Sequence, residues 1–130
     1  MYLKWYLVPE SVPQENINAW FNSEQWGKDP QKGKTLHIQK DVLYELRKHL
    51  FRPLPCSVEY NKLMQGWIIV RFCSTPQRLK RSDLKLMFNY LNYIIPYVYH
   101  PLLQFVCKSI INFINDCLEN ILDYDVFFDF

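Results

Sequence analysis

The chain predicts an α+β fold in which a small antiparallel sheet of three or four strands carries helices packed on one face and a C-terminal helical hairpin. Three observations lead to it. Residues 2–8 alternate in the two-residue period of a half-buried strand, residues 103–121 place apolar side chains every three or four positions, and β-branched and aromatic runs lie between them. At 130 residues, with 49% apolar and 22% charged, the chain suits a single core and is far from the profile of a disordered segment.

In the first strand Leu3, Trp5 and Leu7 fall on one face, with Tyr2, Lys4 and Tyr6 on the other. Ser11, Pro13 and Glu15 then supply a cap hydroxyl, an early proline and an acidic first turn. They introduce a short helix bearing Ile17, Trp20 and Phe21 that ends near Gly27. Residues 28–34, with Pro30, Gly33 and three lysines, read as a polar loop, and residues 35–38 fit either a strand or the entry to a helix. From Asp41 onward Val42, Leu43, Leu46 and Leu50 form an apolar stripe, Glu45, Arg47 and Lys48 face outward, and Pro53 stops the helix.

Residues 56–60 and 66–73 are β-type runs expected to pair as a hairpin, the second near the middle of the sheet. Ser74, Pro76 and Gln77 together signal a helix start, and the spacing predicts a helix over 76–95. Beyond Pro96 and Pro101 the final helix shows Leu103, Cys107, Ile110, Ile114, Cys117 and Ile121 at spacings of three and four. A second apolar row beside these leaves only a narrow wet stripe through Gln104, Lys108, Asn112 and Asp116, so burial of most of this helix is expected. The organisation is one domain over 1–130: a mixed α/β portion at 1–75, a helical hairpin at 76–124 and an acidic, aromatic tail at 125–130.

Net charge is only +2, but its distribution is uneven. Residues 1–101 carry fourteen Lys and Arg against eight Asp and Glu, while residues 102–130 carry one against five. A basic body and an acidic end are expected to pair within one fold. Cys56, Cys73, Cys107 and Cys117 neighbour apolar residues, and the opening residues lack the basic start and small-residue cleavage site of a signal peptide, so reduced thiols in the cytoplasm are the expectation. Residues 86–107 contain no charge, yet Asn89, Asn92, His100, Gln104, Pro96 and Pro101 argue against insertion into a membrane.

The chemistry-bearing patterns are sparse. Close cysteine pairs of the kind that hold zinc are missing, and with three glycines the chain has no glycine-rich phosphate loop. His37, His49 and His100 have no local thiol or carboxylate in an arrangement that activates a nucleophile. No catalytic, metal or cofactor site is therefore expected. Nine Phe, nine Tyr and four Trp, 17% of the chain, exceed what a small core readily encloses, which points to aromatic surface.

The expected function is a non-enzymatic protein-binding module, an adaptor, assembly subunit or small inhibitor, acting through that surface and through the C-terminal helix and tail. Tyr124, Phe127, Phe128 and Phe130 are the expected contact residues, unless the tail folds back as a strand with Val126, Phe128 and Phe130 on one face. The alternative is a nucleic-acid-binding protein or small ribonucleoprotein subunit. There Arg78, Lys80, Arg81 and Lys85 at a helix start, with Lys32 and Lys34 in the polar loop, would contact phosphates. The partner is thus another protein or, alternatively, nucleic acid, and a homo-oligomer fits the same surface.

Overall fold

A computed structural model describes residues 2–50, 66–68, 70–71 and 76–129. Its centre is a four-stranded sheet of order β2-β1-β4-β3, formed by β1 (Tyr2–Pro9), β2 (Leu36–Gln39), β3 (Gln77–Leu79) and β4 (Tyr124–Asp129). All three neighbouring pairs are antiparallel. The tail is therefore a strand in the interior of the sheet, with β1 on one side and β3 on the other. Its register sets Trp5 opposite Phe128, Leu7 opposite Val126 and Val8 opposite Asp125.

Strand alternation divides these residues between two faces. Leu3, Trp5, Leu7, Ile38, Val126 and Phe128 enter the main core. The Trp5 ring stacks on Phe128 with centroids 5.2 Å apart and meets Phe113 edge-on at 6.0 Å. Over this face lie α4 (Arg81–Ile94) and α5 (Pro101–Asn120), joined through a 3-10 turn at Ile95–Tyr97. Pro101 takes the first turn of α5, where its missing N–H has no consequence. The helix buries Leu103, Cys107, Ile110, Ile114 and Cys117 of the expected stripe, and Val106 and Ile111 of the second row.

The opposite face is covered in part by short N-terminal helices. The single helix expected between residues 11 and 27 is two pieces, α1 (Ile17–Phe21) and α2 (Glu24–Gly27), after a 3-10 turn at Gln14–Asn16. Ser23 separates them and caps α2, its Oγ accepting from the Trp26 N–H at 3.3 Å. Ile17 packs with Val8 and Phe127 in a second, smaller core. Tyr6, Phe21, Trp26 and Phe127 extend it, with ring centroids 5.4–6.2 Å apart.

Residues 35–38 resolve into β2, followed directly by α3 (Lys40–Leu50). Two expectations need correction. The run at 66–73, read as a strand, is helical at residues 66–68 and 70–71. Ile68 is fully buried while Val70 is half exposed, a pairing that strand alternation forbids and a helix allows. The proposed partner run at 56–60 lies outside the described residues. The helix expected from residue 76 begins instead at Arg81, because Gln77–Leu79 add to the free side of β4 as β3. Backbone pairing with β4 there outweighs the local helix-start signal.

Candidate functional site

Two of the basic residues of the helix start, Arg78 and Arg81, are drawn into the fold. Arg78, on β3, lies opposite Phe127 and extends over the end of β1. Its Nε donates to Asp125 Oδ2 at 2.7 Å, and the rest of the guanidinium donates to the carbonyls of Val12, Pro9 at 3.1 Å and Glu10 at 3.3 Å. The Arg78 and Asp125 side chains are 5% and 1% exposed. Lys80 Nζ stands 3.1 Å from the same Asp125 oxygen. This cluster ties β3, β4 and the turn after β1 together.

Arg81 performs a different structural task. A helix leaves its last carbonyls without intrahelical partners, and α5 has its end beside the start of α4. The Arg81 guanidinium donates to the carbonyls of Cys117 at 3.1 Å, Leu118 at 2.6 Å and Ile121 at 3.3 Å. A cation that opposes the dipole of its own helix thus closes the negative end of the neighbour. Lys34 Nζ binds Asp116 at 2.8 Å, which raises the Lys34 pKa and lowers that of Asp116. Lys32 lies over the Trp26 ring at 4.8 Å, whereas Lys85 is exposed on α4. The expected pairing of basic body with acidic end is seen in Arg78, Lys80 and Lys34.

The tail residues are placed just as firmly. Phe128 is fully buried and Phe127 nearly so, which corrects their assignment as partner contacts: both side chains face cores of this chain. Tyr124 is half-buried, its hydroxyl 2.8 and 3.0 Å from the Asp29 carboxylate oxygens. Burial, then that hydrogen bond, pushes its pKa up to about 12. Phe130 lies outside the described residues. The thiols of Cys107 and Cys117 are free and buried, and burial pushes each up to about 12, unsuited to nucleophilic work.

A concave apolar surface lies elsewhere, where β2 at the sheet edge meets α3 and the first half of α5. Two adjoining hollows of about 190 and 340 Å³ open there and share Val42 and Leu102 in their walls. Leu36, Ile38 and Val106 line the smaller hollow, while Asp41, Glu45 and His100 line the larger. In the wall of this trough Phe105 is 67% exposed and Leu102 48%, and Tyr99, which precedes His100 in the chain, is 77% exposed. Leu102 and Phe105 fall outside both apolar rows of the last helix, beside its wet stripe. Apolar residues on the wrong side of an amphipathic helix were the signal in the sequence that could have found them.

A wider hollow of about 640 Å³ lies between the turn after β1 and α1, bounded by Pro9, Val12, Pro13, Trp20 and Gln25. No ionisable side chain among the described residues lines it. Among the described residues, no group of three His, Cys, Asp or Glu side chains is placed to hold a metal ion, and no helix is long and apolar enough to cross a membrane. No protein family, curated protein or solved structure matches the chain.

Proposed function

We propose that this chain is a non-enzymatic protein-binding module whose contact surface is the trough between β2, α3 and α5. One observation carries the reading: Leu102 and Phe105 stand open to solvent in the wall of a concave apolar surface. Contiguous apolar surface with a polar rim marks sites of macromolecular contact, and aromatic side chains anchor them. A cytoplasmic, reducing setting fits the free thiols of Cys107 and Cys117. The alternative of nucleic-acid binding retains the exposed Lys80 and Lys85, but Arg78 and Arg81 are engaged inside the fold, so it takes second place.

The test is a Leu102→Asp/Phe105→Asp variant, both sites being exposed and off the core-facing rows of α5. It should melt within a few degrees of the wild type and lose at least about tenfold in affinity for the protein that co-purifies with the chain from its native cell. Undiminished binding by a folded variant, or a complex that dissolves on nuclease treatment, would refute the reading.

A further inference from the structure

We infer that the occupant of this trough is a second copy of the same chain, docked about a two-fold axis so that Phe105 of each copy enters the hollow of the other. The inference rests on the protein-binding reading of this surface and names its partner. A two-fold interface brings one patch against itself, so that patch must carry both a projection and a recess that accepts it. Phe105 is the projection. It stands at the lip of the hollow of about 190 Å³ bounded by Leu36, Ile38, Val42 and Val106. A cavity of about 150 Å³ suffices for a benzene ring, so a phenyl group fits.

Charge along the trough supports the same occupant. At the end where α5 begins, the rim carries Asp41, and Glu45 beside it is matched by Lys48 at 3.1 Å. Farther along α5 Lys34 is matched by Asp116 within the chain, so the positive charge offered at the opposite end is Lys108, exposed one turn beyond Phe105. A two-fold axis across the trough reverses one copy, setting the acidic end of each against the basic end of the other.

The sheet edge completes the match. Among the described residues β2 pairs only with β1. Its four residues contain neither lysine nor proline, the usual obstacles to edge pairing, and His37 and Gln39 are exposed there. Two β2 strands related by a two-fold axis run antiparallel, which continues the pattern of all three pairs in the sheet.

Sedimentation of the full chain from about 1 to 200 μM tests the inference, interfaces of standard size commonly associating in or below this range. The wild type should approach twice its 15.8 kDa mass as concentration rises. Phe105→Glu should weaken association at least about tenfold. Leu86→Glu, at an exposed site on α4 away from the trough, should leave it unchanged. A wild type that stays at 15.8 kDa throughout, or a dimer indifferent to Phe105→Glu, overturns the inference. A benzoyl-phenylalanine photo-crosslinker at position 105, in cells that make the chain, separates this failure from that of the broader reading. A self-adduct supports the dimer, an adduct of another mass alone overturns the dimer but keeps protein binding, and no adduct removes both.

Discussion

Replacing Arg78 with methionine isolates the most concentrated polar interaction in the fold. Asp125 is buried beside Val8, and its Oδ1 has no hydrogen-bond partner among the described residues, so Oδ2 receives both Arg78 and Lys80. Removing one member of a buried pair leaves an uncompensated charge, which costs about 3–5 kcal/mol. Lys80 remains 3.1 Å away but is 59% exposed, so its compensation is partial and the lower end, about 3 kcal/mol, applies. The carbonyls of Pro9, Glu10 and Val12 also lose their donor, but they lie in a surface turn where water replaces it, adding about 1 kcal/mol. The total, about 4 kcal/mol, is a large share of the 5–15 kcal/mol typical of a domain. Denaturant unfolding followed by tryptophan fluorescence measures it, since Trp5 reports from the core. Arg78→Met/Asp125→Leu, with no charge left to strand, should return to within about 1 kcal/mol of the wild type. A single variant that loses less than about 1 kcal/mol, or a double variant no more stable than the single, would refute the reasoning.

Two further outcomes follow from burial. Phe128→Ala should cost about 3–5 kcal/mol, because it empties the site against Trp5, whereas Phe105→Ala should stay within about 0.5 kcal/mol in the monomer; thermal melts of the two variants, at a concentration where sedimentation gives the monomer, check the contrast. Stability should also fall at alkaline pH. The Cys107 and Cys117 thiols rise from 9.0 to about 12 and the Tyr124 phenol from 10.0 to about 12. A raised folded-state pKa contributes stability that is complete below the unfolded value and lost as pH climbs through the folded one. Unfolding curves should therefore hold level near pH 8 and decline from about 9 toward 12, and Cys107→Val should flatten part of that decline.

Elements with a long, regular period were legible in the sequence. The first strand and the last helix lie within a few residues of where alternation and three-four spacing put them, as does α3, because one apolar face faces one core. Misreadings arose where a short segment answers to a distant one. Gln77–Leu79 carry a helix-start signal, but β4 offers them a ladder partner about fifty residues later, and no local rule records that. The β-branched run around Ile68 has strand propensity, yet residues 66–68 and 70–71 are helical, with Ile68 packed in the core. At the candidate site, the aromatic excess was visible but its location was not. The phenylalanines of the tail drew attention as a cluster, while Phe105, set beside the wet stripe of α5, is exposed.

Because β4 fills the place between β1 and β3, the sheet cannot close until the last of its strands is available. Lys4 waits for Asp129, nearly the whole described chain away. At synthesis rates of about 5–20 residues per second, that interval is on the order of ten seconds, during which β1 has one side unpaired and β3 has no partner strand. Long-range closure of this kind slows folding and lengthens the exposure of strand edges to other chains. Holding such a nascent chain apart from its neighbours, by a chaperone or by dilution, should govern how much of it reaches the native state.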